Sequence, residues 1–363
     1  MTGSTDLLAL AAELVAIESV SRHEGELVAW LVDELSRIPG LELTRVGDNL
    51  VARTDLGRPL RLVLAGHTDT VPPNGNIEAR LEGDRLSGLG SADMKGGLAV
   101  MVELARTVAD PAVDLTFVFY AREEVAAAEN GLRELLDLRP DLLVADAAIL
   151  GEPTSSAIEL GCQGTLRVEI VLVGERAHTA RPWMGRNALH RAGPLLTALA
   201  AYAERRPVLQ GCAYREALQA VLVEGGVAGN VVPDRVRIVL NHRFAPDRTP
   251  EQAEAHVREV VDPFLTDGDT FEVVDLAPAA APSLDHPLVA TLAARHGLDV
   301  KAKLGWTDVA RFAELGVPAI NFGPGDPTIA HTAGEFVTRS ELDAAFAALD
   351  DLVRWGVDSP GSP

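Results

Sequence analysis

The sequence predicts an α/β protein, in which a mostly parallel sheet flanked by helices is interrupted by an inserted ferredoxin-like α+β domain. Short, continuously apolar segments alternate with amphipathic helical segments in the first and last thirds of the chain, which is typical of a parallel sheet covered on both faces. The middle third has the order strand, helix, strand, strand, helix, strand, which is the ferredoxin-like arrangement. The 363 residues are enough for two such domains.

The larger domain is predicted to comprise residues 1–164 and 278–363. Apolar residues at helical spacing predict helices, and short apolar runs predict buried strands. The helices are expected at 5–17, 25–37, 96–108 and 340–355, with Ser4 or Thr5 as the first N-cap, and the strands at Leu62–Ala65, Leu115–Tyr120, Ala147–Leu150 and Ala319–Phe322. Each strand leads into a loop that carries His or an acid. Because ligands of open α/β sheets bind beyond the carboxyl ends of the strands, we expect a site there.

Residues 165–277 are predicted to form the inserted domain. Its expected strands are Leu166–Val173, Ala217–Glu224, Asn230–Arg243 and Phe271–Leu276, and its expected helices are Asn187–Glu204 and Pro250–Leu265. The Ala- and Pro-rich stretch 277–287 is typical of a linker that returns to the larger domain.

Composition excludes several classes of function. The chain has 32 Lys and Arg against 53 Asp and Glu, and its net charge of -21 would repel nucleic acid. The N-terminal segment mixes acids with apolar residues, unlike a signal peptide, and no apolar run reaches the roughly 18 residues of a membrane span, so we expect a cytoplasmic protein. Cys162 and Cys212 are expected to be buried and reduced, so a bound metal would need His and carboxylate ligands.

The first candidate site residues lie in LVLAGHTDTVP and GLGSADMKGGLAVMVEL. His67 and Asp69 are two residues apart on an extended segment and project to the same side, as in a metal-binding His with its supporting carboxylate. A surface turn explains this motif alone equally well. Asp93 lies in a glycine-rich loop before a helix, where it could also be an acid that favours the helix dipole. Lys95 is expected to be solvated.

A pair of adjacent carboxylates, Glu123 and Glu124, follows an apolar strand in LTFVFYAREEVAAAENG. Their repulsion costs free energy unless a cation or a shared proton relieves it, although a solvated acidic turn remains the alternative. Glu152 follows the next strand in DAAILGEPTS, and His331 follows the last one in NFGPGDPTIAHTAGEF, with Glu335 as a possible acid behind it. The joint pattern favours one shared site at a single edge of the sheet.

These residue types suit a centre of two metal ions. Two Zn²⁺ ions carry four positive charges, and Asp93, Glu124 and Glu152 carry three negative charges, so a single hydroxide would make the centre neutral when His67 and His331 are uncharged. Imidazole and carboxylate ligands suit catalytic zinc. Two ions about 3.5 to 4 Å apart would activate water and polarise a carbonyl group. The other glutamate of the adjacent pair would then be free to act as a base.

The motifs HTDTVP, GSADMKGG, REE, GEPT and AHTAGE, in this order, resemble a family of dinuclear zinc hydrolases. The family includes aminoacylases, glutamate-releasing carboxypeptidases, acetylornithine deacetylases and succinyl-diaminopimelate desuccinylases. The resemblance implies a zinc peptidase-like catalytic domain with two Zn²⁺ per subunit, which Co²⁺ can replace. It implies that His67 and Glu152 hold one ion, that Glu124 and His331 hold the other, and that Asp93 bridges them.

The resemblance also implies roles for residues around the metals. Asp69 would support the first histidine ligand, Glu123 would be the general acid and base, and the peptide bond between Asp93 and Met94 would be cis. The inserted domain would mediate formation of a homodimer. His178, in GERAHTARP, matches a histidine that reaches across the dimer to polarise the scissile carbonyl.

The resemblance extends to substrate recognition. Asn230 and Arg243, at the start and end of one predicted strand, match positions that bind the substrate amide and carboxylate. The stretch from 304 to 337 is most similar to actinobacterial desuccinylases, with Gly305 and Thr307 on the substrate loop. Trp306 stands where many desuccinylases carry a small hydroxyl residue.

The implied substrate is a small molecule, N-succinyl-LL-2,6-diaminopimelate, hydrolysed to succinate and LL-2,6-diaminopimelate in diaminopimelate and lysine biosynthesis. Arg243 and Arg181 are the candidates for binding its carboxylates. An N-acetylornithine deacetylase, or a related N-acyl-amino-acid amidohydrolase, would use the same centre and is the alternative. A metal-free binding homologue is the non-enzymatic alternative, and the presence of all five ligand candidates and of Glu123 argues against it.

Overall fold

The computed structural model describes residues 6–357 of the chain. It divides into two compact units: unit 1 consists of Met1–Leu160, Pro282–Lys301 and Arg311–Pro363, and unit 2 of Gly161–Ala281 and Ala302–Ala310. The sequence places the inserted domain at 165–277. In the structure, unit 2 starts four residues earlier, ends four residues later, and also contains the segment 302–310.

A side-chain cap marks the start of the first helix. The Asp6 side chain accepts hydrogen bonds from the backbone of Leu8 and Ala9 and so caps the first helix, whereas the predicted caps Ser4 and Thr5 lie outside the described residues. The helices are α1 (Leu7–Ala16), α2 (Gly25–Leu35), α3 (Gly96–Thr107), α4 (Gly131–Leu138), α5 (Ala188–Ala200), α6 (Pro250–Val261), α7 (Pro287–His296), α8 (Val309–Glu314) and α9 (Arg339–Trp355). The predicted helices of the larger domain therefore match α1, α2, α3 and α9 to within a few residues.

The predicted strands of the larger domain also agree with the structure to within two residues. The strands of the described residues follow in chain order. They are β1 (Glu42–Val46), β2 (Asn49–Arg53), β3 (Arg61–His67), β4 (Arg80–Glu82), β5 (Arg85–Ser87), β6 (Asp114–Tyr120), β7 (Ala147–Leu150), β8 (Ile158–Leu160), β9 (Gly164–Val173), β10 (Val208–Leu209), β11 (Cys212–Ala213), β12 (Ala217–Gly225), β13 (Arg235–Phe244), β14 (Thr270–Ala277), β15 (Val300–Ala302), β16 (Ala319–Asn321) and β17 (Phe336–Thr338).

The main sheet of unit 1 has the order β1-β2-β6-β3-β7-β16-β8-β15. Its four central strands, β6, β3, β7 and β16, run parallel, and their register pairs His67 with Tyr120 and Leu150 with both Ala65 and Asn321. The predicted parallel sheet is confirmed in this centre, whereas β1, β2 and β8 pair antiparallel at the margins. The carboxyl ends of the four parallel strands therefore lie side by side.

Two glycines allow α3 and the loop before it to approach these strand ends closely. A Cβ atom on Gly97 would lie 2.2 Å from the carbonyl oxygen of Gly151, just after β7, and one on Gly66 would lie 2.5 Å from the Met94 side chain. Helices α1, α3 and α9 also pack against one another. The loop that contains Asp93 is thus held directly against the edge of the sheet.

Unit 2 is built on an antiparallel sheet of order β12-β13-β9-β14 with α5 and α6, which is the ferredoxin-like topology. Alternate residues of β9, from Leu166 to Leu172, are buried in its core. The predicted strand 230–243 is wrong at its start, because β13 begins only at Arg235. Pro233 has no N–H to donate to a ladder, so Asn230 lies in a loop instead of on the strand.

Two observations bear on the compositional predictions. None of the helices in residues 6–357 combines the length and the apolar character needed to cross a membrane. Cys162 and Cys212 are both buried and free, as predicted.

Candidate metal centre

The predicted ligands lie on loops at the carboxyl edge of the parallel strands of unit 1. His67 is the last residue of β3, Glu124 follows β6, Glu152 follows β7, and His331 lies on the loop after β16. Asp93 comes from the loop before α3. Because the four strands are neighbours in the sheet, residues from distant parts of the sequence meet at one edge.

Asp93 lies between the two imidazoles. Its Oδ1 is 3.0 Å from His67 Nε2 and its Oδ2 is 3.4 Å from His331 Nε2, which is also 2.7 Å from Glu124 Oε1. One ligand atom each from His67, Asp93 and Glu152 lies within 4.8 Å of the others, and the same holds for Asp93, Glu124 and His331. The structure therefore brings the five residues into two groups that share Asp93.

Glu123 and Asp69 border this cluster. Potential ligand atoms of Glu123, Glu124 and His67 lie within 4.8 Å of one another. The Asp69 carboxylate accepts the backbone N–H groups of Glu123 and Glu124 at 2.9 and 3.1 Å. His67 Nδ1 lies 3.0 Å from the Asp69 carbonyl oxygen, so a neutral ring that donates its N–H there keeps Nε2 free to bind a metal ion. The nearest Asp69 carboxylate oxygen lies 3.6 Å from His67 Nδ1, so Asp69 borders this side of the ring and also holds the backbone of the glutamate pair.

Glu335 fixes the loop that presents Asp93. Its buried carboxylate accepts backbone N–H groups from Gly90 at 3.2 Å, Ala92 at 3.0 Å and Asp93 at 3.1 Å. Burial raises the pKa of Glu335. The peptide bond between Asp93 and Met94 is cis, in agreement with the resemblance. Glu335, the acid predicted to lie behind His331, therefore supports the loop of Asp93 by accepting backbone N–H groups of that loop.

Lys95 differs from its prediction. The side chain is only 2% exposed, and Nζ donates a 2.6 Å hydrogen bond to the carbonyl oxygen of Ile17, at the C-terminus of α1. Burial lowers the pKa of Lys95 to about 8. The expectation of a solvated lysine is wrong because the packing of α1 on α3 encloses the side chain, and a helix C-terminus provides a favourable acceptor for a cation.

The electrostatics of the cluster favour cations. Burial alone would lower the pKa of His67, but hydrogen bonds with Asp69 and Asp93 outweigh it and raise that pKa well above its usual value. Hydrogen bonds that His331 donates to Asp93 and Glu124 raise its pKa to about 10. Burial opposes ionisation of Asp93, yet the two imidazoles hold its pKa below the ordinary range. Imidazole nitrogens among several carboxylate oxygens fit divalent metal ions such as zinc.

Three of the other candidates lie together on exposed loops of unit 2. The backbone N–H of Arg181 donates to the His178 carbonyl oxygen at 2.8 Å, and that of Thr179 donates to the Asn230 carbonyl oxygen at 3.1 Å. The His178 ring accepts a hydrogen bond from the Ala180 N–H at Nδ1. In the neutral ring, Nε2 therefore carries the proton and is a donor.

The remaining candidates of unit 2 differ in exposure. Arg243 is half-buried, and this burial, with the nearby Arg167, lowers its pKa. In the described part of the chain, Arg243 makes no ion pair. Gly305 is exposed, whereas Thr307 is buried. The Trp306 indole between them donates a 3.1 Å hydrogen bond to the carbonyl oxygen of residue 278.

Several supporting residues could not be found from the motifs. Ser21 Oγ donates a 2.7 Å hydrogen bond to the Asp69 carboxylate. Asn49 and Glu24 accept backbone N–H groups of residues 121 and 122, just before the glutamate pair. All three belong to segments with no recognisable motif, and their contacts are made to residues far away in the sequence.

The fold and the cluster define a class: an α/β protein that carries the side chains of a divalent-metal centre at the carboxyl edge of its parallel strands. Residues 63–355 match the model of the family described as Peptidase family M20/M25/M40. The chain belongs to this family.

Relatives and a solved structure agree with this assignment. The chain is 48% identical over 345 residues to a Mycobacterium tuberculosis protein named "Putative succinyl-diaminopimelate desuccinylase DapE", covering 95% of this chain and 97% of the relative. It is 43% identical over 336 residues to the succinyl-diaminopimelate desuccinylase of Corynebacterium glutamicum, covering 91% of each. The Bacillus subtilis YXEP protein, described as a dinuclear metal-binding peptidase, has a TM-score of 0.68 at 17% identity over 96% of this chain and 97% of its own, and so shares the fold.

Proposed function

We propose that the protein is a metal-dependent amidohydrolase that converts N-succinyl-LL-2,6-diaminopimelate to succinate and LL-2,6-diaminopimelate. The observation that carries the chemistry is the position of Asp93, whose two oxygens face different imidazoles, each with a glutamate beside it. The names of the relatives that are 43 to 48% identical over most of the chain support the substrate.

The proposed cofactor is two Zn²⁺ ions per subunit, which Co²⁺ can replace. His67 and Glu152 would hold one ion, Glu124 and His331 the other, and Asp93 both. The two groups of ligand atoms that share Asp93 support this assignment, as does the description of the B. subtilis relative as a dinuclear metal-binding peptidase. When bound, such ions lower the pKa of water and polarise the amide carbonyl.

Glu123 is the proposed general base and acid. It would take a proton from the attacking water and pass it to the departing amine nitrogen. Its proximity to His67 and Glu124 supports this role, because it places a further carboxylate at the edge of the metal ligands. Asp69 holds the backbone of both glutamates and therefore keeps the base in a fixed position relative to the ligands.

Residues of unit 2 are proposed to bind the substrate. His178 can donate from Nε2 to the carbonyl oxygen of the scissile amide, because Nδ1 already accepts a hydrogen bond. Arg243 is the proposed partner of a substrate carboxylate, since it makes no ion pair with the carboxylates of the described residues. The other proposed contacts are Arg181 with a second carboxylate, Asn230 with the amide, and Gly305 and Thr307 on the substrate loop.

We infer a homodimer formed through unit 2. Strand β12 pairs only with β13 among the described strands, so its other edge is available, and Val221 is 58%, Leu222 39% and Val223 44% exposed. An unpaired apolar edge strand is a template for pairing with a second copy of the chain. Sedimentation equilibrium tests this inference, and Val221→Lys should shift the protein towards monomer.

Free, buried thiols at Cys162 and Cys212 support a reducing compartment, and we propose the cytoplasm. Fractionation of cells that express the protein tests this proposal, and recovery outside the cytoplasmic fraction would contradict it.

A steady-state screen with added Zn²⁺ tests the activity. N-succinyl-LL-2,6-diaminopimelate, N-acetylornithine and N-acetylmethionine are compared, together with the metal content of the protein. The highest kcat/KM on the succinylated substrate is expected. A higher value on an acetylated substrate would favour the deacetylase alternative. A protein that binds no Zn²⁺ and turns over none of the amides, even with Zn²⁺ added, would favour the binding homologue.

A further inference from the structure

Three buried side chains hold the turn that carries the glutamate pair. Four consecutive backbone N–H groups, those of residues 121–124, all donate to side-chain acceptors. In order, the acceptors are Asn49 at 3.0 Å, Glu24 at 3.1 Å, and the two Asp69 oxygens at 2.9 and 3.1 Å. Each acceptor side chain belongs to a fully buried residue. Because the turn lies outside the helices and strands, these side chains satisfy N–H groups that a regular element would otherwise bind.

Glu24 joins this turn to a second irregular segment. The oxygen that accepts the Arg122 N–H also accepts the Arg22 N–H, at 3.0 Å. Both arginines are in the left-handed backbone region, with φ of +75° for Arg22 and +60° for Arg122. This region costs roughly 1 to 2 kcal/mol for a residue with a Cβ atom. A fixed acceptor is therefore needed to keep both backbones in place.

We propose that Glu24 is a positioning residue for the general base Glu123. By binding the Arg122 N–H, Glu24 fixes the left-handed residue that redirects the chain between β6 and Glu123. Asn49 and Asp69 accept the N–H groups of the residues on either side, whereas Glu24 accepts that of Arg122 itself. The inference rests on the proposed function, because Glu123 is the base only if the protein is a hydrolase.

If Glu24 only stabilised the fold, its replacement would lower stability without a specific loss of kcat. The chain offers a matched control for this alternative. Asp114 is also a buried carboxylate that accepts two backbone N–H groups, from Leu56 at 2.7 Å and Arg58 at 2.8 Å. It lies at the start of β6, whereas the turn follows the end of the same strand. A seven-residue strand spans about 20 Å, so Asp114 is remote from Glu123.

The experiment compares Glu24→Ala, Glu24→Gln, Glu24→Asp and Asp114→Ala in the full chain. Kinetics are measured on N-succinyl-LL-2,6-diaminopimelate with Zn²⁺. We expect Glu24→Ala to lower kcat by about 100-fold with KM changed less than about 3-fold, since a displacement of about 1 Å at a catalytic group can cost that much. Asp114→Ala should lose stability and keep kcat within about 3-fold of wild type.

The conservative variants separate geometry from charge. The other Glu24 oxygen, Oε2, has no hydrogen-bond partner among the described residues. The amide oxygen of Glu24→Gln can therefore accept both N–H groups while the amide nitrogen occupies the unpartnered position, and kcat should stay within about 3-fold of wild type. Glu24→Asp keeps the charge but withdraws the acceptor by one methylene, and kcat should fall at least 10-fold, about the effect of losing one supporting contact.

A second readout does not need activity. Titration of the metal-free protein with Co²⁺ should show about 10-fold weaker binding for Glu24→Ala and unchanged binding for Asp114→Ala, because the proposed ligand Glu124 shares the turn. If wild type turns over none of the amides, the proposed function fails and the Co²⁺ titration alone decides whether Glu24 positions the turn.

Three results would overturn the inference: equal losses of kcat in the two alanine variants, a Glu24→Gln variant as impaired as Glu24→Ala, or a Glu24→Asp variant equal to wild type. If Glu24→Ala does not fold, the Gln and Asp variants still decide.

Discussion

Replacing Glu335 by alanine tests whether the loop of Asp93 depends on this carboxylate. The change removes the acceptor of three backbone N–H groups, those of Gly90, Ala92 and Asp93. A buried hydrogen bond contributes about 1 kcal/mol net, so the free energy of unfolding should fall by about 3 kcal/mol. In Glu335→Gln, the amide oxygen can still accept from Ala92 and Asp93, which share Oε1, and only the bond from Gly90 is lost. The expected loss for glutamine is therefore about 1 kcal/mol.

Urea unfolding of the metal-free protein measures these losses, and zinc titration measures the effect on the site. Because Glu335 binds the backbone of Asp93 and lies four residues after His331, we expect zinc affinity to fall by about 10- to 100-fold in the alanine variant. The exposed Glu82, changed to alanine, is the control. An alanine variant with the stability and zinc affinity of wild type would show that the three N–H groups do not need this acceptor.

Three further predictions concern Glu123, His178 and His242. Glu123→Gln should bind zinc normally and lose at least about 10³-fold in kcat, since it removes proton transfer, and near-normal turnover would contradict the assignment. His178→Ala should lower kcat more than zinc binding, and a variant equal to wild type would remove His178 from the site. Burial lowers the pKa of His242 to about 4 from a usual value of 6.5, so between pH 6.5 and 4 only the unfolded chain takes up the proton. The free energy of unfolding, measured by urea unfolding, should fall through this window by up to about 3 kcal/mol more in wild type than in His242→Gln.

The convergence of the metal-ligand candidates could be predicted because it depends on strand direction. Apolar runs that end in His67, Glu124 and Glu152 each indicate a buried strand, and parallel strands bring their carboxyl ends to one edge. The antiparallel strands at the margins of the sheet could not be predicted in the same way. An apolar run shows that a segment is buried, but it does not show which neighbour it pairs with or in which direction.

The sequence could not predict which polar side chains are buried, for a related physical reason. Lys95 is buried because α1 packs on α3, and its acceptor, Ile17, is 78 residues away in the sequence. The contact from Glu24 to Arg122 spans 98 residues, and the contact from Glu335 to Gly90 spans 245. Local periodicity describes the face of one element, whereas each of these contacts depends on the packing of two.

The loops of the site are stabilised in the same way, by buried carboxylates. Their backbones are irregular, so their N–H groups cannot be bound within a helix or a sheet, and the buried carboxylates Glu24, Asp69 and Glu335 accept them instead. The residues that hold the loops are thus largely distinct from those proposed to bind the metals. A ligand variant such as Glu152→Gln should therefore lose more zinc affinity than metal-free stability, whereas a variant of a holding carboxylate should lose both. Equal losses of metal-free stability in the two kinds of variant, measured by urea unfolding, would show that the ligands themselves hold the loops together.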